Sequence, residues 1–406
     1  MMVLEDYGSL ASPTVPKLIA VFGDRTQSEK IRLQAADVLL KVSESQASAV
    51  APVMIDIFRD KTQSEEIRFK AAKVLESYGA LASPTVPDLI AVFRDKTQSE
   101  EIRFEAAMIL KEIGPQASAF IPDLLPMIRN RNLHWRADAI EAFGRIGGPQ
   151  SFVAVPDLLV ALEDPSEDIR GEAVLALGRM GLQASAAILP SIIRKLYDPT
   201  RTVRHCALEA LGIIGPAASA AEPAIINRFL VHNDQERFCA VEALGKIGPS
   251  QSSVLALNRV LINDRDLEIR TEVAKVLGNK GHTDPSTVPG LIRALEEPYI
   301  EPRSAYNLAI INDQVFQLHA EAVKALGNMG PAAASAVPAL IRALEDPYVE
   351  GVGIEAVKAL GNIGPAAKAA VPSLLAFRNK YSQHSEIVAR EVDSALAKFR
   401  QQEGSN

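Results

Sequence analysis

Apolar residues along this chain fall into short blocks of helical period, entered alternately through a proline and through a charged turn. The stretch "VPDLLVALED" (155–164) sets a proline just ahead of leucines at helical spacing. In a first helical turn the missing N–H of proline costs no hydrogen bond. After a charged turn comes "DIRGEAVLALGRMG" (168–181), where Ile169, Ala173, Val174, Leu177 and Met180 make one stripe. Gly178 is small enough for a neighbouring helix to approach closely, and Gly181 ends the helix. Elsewhere the ending reads "IGP", as at Ile113–Pro115, Ile214–Pro216 and Ile363–Pro365. There glycine supplies a left-handed cap and proline forbids continuation.

This two-helix block recurs. The prolines ahead of the apolar runs, from Pro16 to Pro372, are spaced by 33 to 36 residues, with exceptions of 66 and 49. The longer gap is two periods, with a proline-less block around "SSVLALNRVL" (252–261). The shorter is one period plus an insertion, taken as 298–316. The pattern predicts an all-α array of about eleven two-helix units, one domain over 1–406. "FRDKTQSEEIRF" stands at both 58–69 and 93–104, with a looser copy at 22–33, which points to recent internal duplication. It spans the turn between helices and the start of the second helix. Thr62 with Glu65, and Thr97 with Glu100, have capping-box spacing.

An arginine recurs near the start of each second helix: Arg32, Arg68, Arg103, Arg136, Arg170, Arg204, Arg237 and Arg270. Acidic residues recur a few positions upstream, among them Asp24, Asp60, Asp95, Asp164, Asp198 and Asp264. A basic stripe for phosphate is one reading. A structural Asp–Arg ladder tying successive turns together is favoured, because the acids recur with the arginines and a buried Arg must be paired.

Composition narrows the function classes. Aromatics are 5% and hydrophobic residues 48%, a mix suited to closely packed helices. The net charge of −7 argues against a nucleic-acid binder, which carries a basic surface. No apolar run approaches the roughly 20 residues that span a bilayer, so no membrane partner is expected. Cys206 and Cys239 hold matching positions in adjacent units, which helix packing places about 10 Å apart. That exceeds the reach of a disulfide, so two free thiols and a reducing, cytoplasmic location are expected. Neither a Cys/His cluster, a phosphate loop nor a nucleophile elbow is present, so no metal, cofactor or catalytic residue is assigned.

The recurring "VPxLIxALEDP…(I/V)RxEAxxALGxIGP", seen in "VPALIRALEDPYVEGVGIEAVKALGNIGP" (337–365), resembles HEAT repeats, in particular the short HEAT-like kind named after phycobilisome lyases. The resemblance covers nearly the whole chain. It implies a right-handed α-solenoid of the armadillo-like helical class, with first helices on the convex side and second helices lining the concave side. Family members include chromophore lyase subunits, scaffolds and metal-dependent deoxyhypusine hydroxylases. The hydroxylases need His-Glu dipeptides, and none of His134, His205, His232, His282, His319 or His384 is followed by Glu. His319 falls at the ladder position of its unit and reads as a substituted ladder residue.

The favoured function is a non-catalytic protein–protein interaction scaffold whose partner, another protein, lies on the concave face. The alternatives are a phycobilin lyase-type chromophore handler and the recognition segment of a larger multidomain protein. Positions one, five and nine after the ladder arginine should face the concave side. They carry Phe69, Phe104, Met108, Leu175, His205, Ile213 and Phe238, mostly apolar where polar residues are expected. They either receive a partner or fold against the neighbouring unit. The insertion adds Tyr299, Arg303 and Tyr306, types favoured at interface hot spots. Trp135 reads as core. At the ends, "VLEDYGSLASPTVP" (3–16) parallels "VLESYGALASPTVP" (74–87), so residues 1–11 read as the remnant of a preceding unit. That predicts further sequence upstream. Residues 389–406 are charged and read as a C-terminal cap and tail.

Overall fold

The computed structural model describes residues 14–39, 47–181, 187–230, 236–279, 284–298, 307–345, 350–381 and 386–401. It is an all-α solenoid, with no strand among the described residues. Two compact units divide the chain at Ile214/Gly215. The first holds α1 (Val15–Gly23), α2 (Glu29–Leu39), α3 (Ala47–Arg59), α4 (Glu65–Tyr78), α5 (Val86–Arg94), α6 (Glu100–Ile113), α7 (Ile121–Arg129), α8 (Arg136–Ile146), α9 (Val155–Ala161), α10 (Glu167–Met180), α11 (Ile188–Lys195) and α12 (Arg201–Ile214). The second holds α13 (Glu222–Ile225), α14 (Arg237–Ile247), α15 (Gln251–Asn263), α16 (Leu267–Gly278), α17 (Val288–Leu295), α18 (Asn307–Met329), α19 (Val337–Glu345), α20 (Glu350–Ile363), α21 (Val371–Tyr381) and α22 (Glu386–Gln401). Odd-numbered helices are the first of each pair and even-numbered helices the second. Each second helix packs on its own first helix, and successive second helices stack within each unit.

The sequence punctuation acts as expected. Pro87, Pro122, Pro156 and Pro289 sit in the first turns of their helices. Gly114 ends α6 at φ +72° and leads into the short helical turn Gly114–Phe120, which delivers the chain to α7. The proline-less unit enters its first helix by another route. Glu222 is buried, and its carboxylate accepts the Ser250 N–H at 2.9 Å and the Ser250 hydroxyl at 2.7 Å, capping α15 from the preceding pair. Part of the insertion also proves helical, because α18 runs 23 residues and carries 307–316 as an extension of the second helix. Tyr299, Arg303 and Tyr306 lie outside the described residues, as do the remnant 1–11 and the tail 402–406.

Glycine sets the spacing of the stack. A Cβ at Gly178 would meet Ala210 Cα at 2.8 Å, and one at Gly278 would meet Ala325 Cα at 2.7 Å. Gly327 and Gly361 face Ala359 and Ala395 in the same way. The "ALG" of one second helix thus takes the alanine of the next directly against its backbone.

The arginine ladder is structural. Arg32, Arg68, Arg103 and Arg136 each donate Nε to the last-turn carbonyl of their own first helix, at Phe22, Phe58, Phe93 and Ile128, over 2.6–2.8 Å. The outer guanidinium nitrogens then reach forward. Arg136 meets Asp164 at 2.6 Å, Arg170 meets Asp198 at 2.9 Å, Arg237 meets Asp264 at 3.3 Å and Arg270 meets Glu297 at 2.7 Å. Each upstream acid therefore serves the arginine of the preceding pair. In the duplicated turns glutamine takes over: Arg32 and Arg68 donate to Gln63 and Gln98, both at 2.7 Å. Asp60 and Asp95 instead fold their own turns by accepting from the Thr62 and Thr97 N–H and hydroxyl groups. This corrects the capping assignment. The N-caps are Ser64 and Ser99, which accept from the Ile67 and Ile102 N–H groups. Thr62 and Thr97 are already held by the aspartates two residues before them. His319 completes the ladder, with Nε2 3.0 Å from the Glu297 carbonyl.

The ladder carries a pH dependence. Burial opposes ionisation of Asp198, but the Arg170 hydrogen bond and the Thr200 N–H outweigh it and hold the carboxyl below its ordinary 3.8. Asp164 is lowered in the same sense, with Arg136 overcoming burial. A depressed folded pKa contributes stability above the unfolded value, lost as pH falls through the folded one. Thermal melting should therefore be level from pH 7 to about 5 and fall below about pH 4. An Asp198→Asn variant should be less stable at pH 7 and show a shallower acid loss. An unchanged slope would remove Asp198 from the acid response.

Candidate protein-interaction surface

The positions one, five and nine residues after each ladder arginine lie along the second helices, where their exposure varies. Phe69 on α4 and Phe104 on α6 are half-buried there. His205 is exposed on α12, Ile213 is 45% exposed and Phe238 on α14 is 37% exposed. Met108 and Leu175 are at the same register yet only 7% and 8% exposed. Their apolar chains lie in the seam between stacked helices. Lys73, Glu209 and Lys275, also five residues after a ladder arginine, carry charges that extend out to water. In the first unit Phe69, Phe104, His205 and Ile213 are thus accessible while Met108 and Leu175 are not, and in the second unit Phe238 is accessible.

Phe69 and Phe104 share a groove of about 280 Å³ with Glu100, Glu101, Glu105 and His134. The second helices place these side chains in adjacent register, because α4 and α6 begin with the duplicated "EEIRF". Trp135, only 5% exposed, stands behind the groove with its ring edge-on to Phe104 at 5.3 Å. Its Nε1 donates to Glu100 Oε1 at 3.1 Å and so fixes that carboxylate. Burial pushes the Glu105 carboxyl up, against the pull of Lys73. One of its oxygens is fully buried without a hydrogen bond, 3.7 Å from Lys73 Nζ. Sequence reasoning singled out the two phenylalanines and missed the carboxylates. Their signal was the "SEE" ahead of each "IRF", which also reads as an ordinary acidic first turn.

The rest of the second-helix face is largely matched charge. Lys111 meets Glu141 at 2.9 Å, and Arg145 meets both Glu112 and Glu141 at 2.9 Å. In the second unit Glu272–Lys275, Glu321–Lys324 and Glu355–Lys358 pair within one turn at 2.8–3.0 Å. A larger groove of about 690 Å³ runs over the C-terminal ends of α6 and α8 and includes Lys111, Glu112, Arg145 and Arg179. Nearby, burial and the Glu172 and Glu209 charges raise the Cys206 thiol to about 11, the opposite of the depressed pKa a reactive thiolate needs. Neither cysteine is in a disulfide. Among the described residues, no three His, Cys, Asp or Glu side chains group as a metal site.

Known families and structures agree with this architecture. The family described as HEAT repeats matches residues 155–237 and 306–397. Importin beta, solved in an ammonium sulfate condition, is 14% identical with a TM-score of 0.64, over 95% of this chain and 57% of that one. The karyopherin Kap121p bound to the extreme C-terminus of the protein phosphatase Cdc14p is 14% identical with a TM-score of 0.56, over 97% of this chain and 50% of that one. Kap121p bound to Ste12p is 15% identical with a TM-score of 0.55, over 97% and 49%. At this identity the likeness is one of fold. The chain spans about half the length of these karyopherins. No curated protein matches it.

Proposed function

We propose that this all-α solenoid with HEAT repeats is a non-catalytic scaffold that binds another protein on the concave face lined by its second helices. The observation that carries the reading is the Phe69–Phe104 groove. On a face where most charges are already paired, two aromatic rings from adjacent helices stand half-open beside three carboxylates. Aromatic side chains in such positions are enriched in interface hot spots. Ile213 in the first unit and Phe238 in the second are further exposed apolar side chains on second helices. Protein binding by Kap121p, seen with the Cdc14p C-terminus and with Ste12p, supports the same use of a related architecture. The chain's finer kinship is proposed to lie with the phycobilisome-lyase type of repeat, and its location in the cytoplasm, where cysteines stay out of disulfides as both do here. No described helix is long and apolar enough to cross a membrane.

A photo-reactive phenylalanine analogue at position 104 should cross-link to a protein from the native host, competed by excess unlabelled chain. The same analogue at position 160, where Val160 is 59% exposed on the first helix α9, should not. Adducts from position 160 alone, or equally from both, would make this assignment wrong.

A further inference from the structure

We infer that the Phe69–Phe104 groove is a receptor for a single arginine side chain presented by an extended segment of the partner protein. The inference rests on the scaffold reading and specifies the chemistry of its ligand. Volume is the first argument. About 280 Å³ is below the roughly 300–1,000 Å³ of small-molecule sites and suits one long side chain better than a folded element. Charge is the second. Glu100, Glu101 and Glu105 line the groove and no lysine or arginine does; Glu105 faces Lys73 at 3.7 Å from outside the lining, which leaves Glu100 and Glu101 for a cationic ligand. An anionic ligand is repelled, and an aliphatic side chain would bury the carboxylates without pairing them.

Shape decides among cations. Aromatic rings such as Phe69 and Phe104 attract a flat guanidinium, and carboxylates beside them can accept its fork of N–H donors. Glu100 is already oriented by the Trp135 indole at 3.1 Å, so an accepting oxygen is in place before binding. Glu100 and Glu101 open α6, where the helix dipole favours negative charge. The wider groove lacks this character, because it is lined by the cations Lys111, Arg145 and Arg179, of which the first two already pair with Glu112 and Glu141.

Trp135 is the only tryptophan in the chain, and it touches both Phe104 and Glu100, so its emission reports on the groove. Titration of the full chain with acetyl-Gly-Gly-Arg-Gly-Gly-amide should give a saturable change in emission that weakens with added salt. The citrulline counterpart keeps the shape and loses the charge, and should bind about fivefold or more weakly. Glu101→Gln, an exposed change that leaves the packing alone, should weaken the arginine peptide similarly. Equal binding of citrulline and arginine peptides, or no saturable response up to millimolar peptide, would overturn the inference. If position 104 still cross-links a partner while the arginine peptide is silent, the arginine receptor fails and the scaffold stands. If position 104 captures nothing as well, the scaffold reading fails with it.

Discussion

Gly178→Val is expected to cost about 2–3 kcal/mol, the upper range for forcing extra methyl groups into a packed core. The argument is geometric. A Cβ at Gly178 would meet Ala210 Cβ at 2.6 Å and Ala210 Cα at 2.8 Å. The obstruction is backbone and the first side-chain carbon, neither of which has a rotamer to escape into. Relief requires α10 and α12 to separate, which loosens the seam holding Leu177 and Leu211, both fully buried. Gly178→Ala should be milder. It clashes at the same point, yet alanine regains about 1 kcal/mol of helix propensity. Gly23→Ala is the control, since a Cβ there meets nothing within 4 Å and should be neutral or slightly stabilising. Repeat arrays need not melt as one unit, so hydrogen exchange of α10 and α12 is the proper measurement alongside the urea midpoint. Equal exchange in Gly178→Val and the parent would show that the seam can open without cost.

That close approach was readable in the sequence because it depends on one residue type at a fixed place in a repeat. So were the helix pairs, since Pro122 and Gly114 act through their own backbone wherever they stand. The candidate site was only half readable. Register put Phe104 and Met108 on one stripe, but exposure is set by how a neighbouring helix covers each of them. Phe104 stays half-open beside Trp135, whereas Met108 is sealed in. Hydrogen-bond partners were missed for a related reason. Thr62 has capping-box spacing, yet Asp60 claims it first, and the cap passes to Ser64. Glu222 reads as a charged residue in an apolar slot until Ser250, 28 positions on, is seen to need it.

Arg136→Ala is expected to be the most damaging ladder substitution, at about 3–5 kcal/mol, the cost of removing one partner from a buried ion pair. The Arg136 side chain is 7% exposed and Asp164 12%. Truncation would orphan two acceptors at once, the Ile128 carbonyl at 2.6 Å and the Asp164 carboxylate at 2.6 Å. Asp164 would keep the Ser166 N–H at 3.0 Å but lose its ion-pair partner. Arg136→Lys should fall between, because a lysine keeps the charge but cannot bridge both acceptors with one planar group. Arg103→Ala gives the scale. That arginine is half-buried, donates to the Phe93 carbonyl at 2.8 Å and lies 5.5 Å over the Phe93 ring, with no carboxylate depending on it. Its loss should cost about 1–1.5 kcal/mol, as for an ordinary hydrogen bond. Trp135 immediately precedes Arg136, so urea melts followed by tryptophan emission and by far-ultraviolet circular dichroism report the local and the general loss together. The Asp164→Asn background supplies the decisive comparison. There the carboxylate is already gone, and Arg136→Ala should cost markedly less than in the parent chain. If the two costs are equal, or if Arg136→Ala is no worse than Arg103→Ala, the pair contributes nothing beyond its hydrogen bonds and the ladder is held by the carbonyl contacts alone.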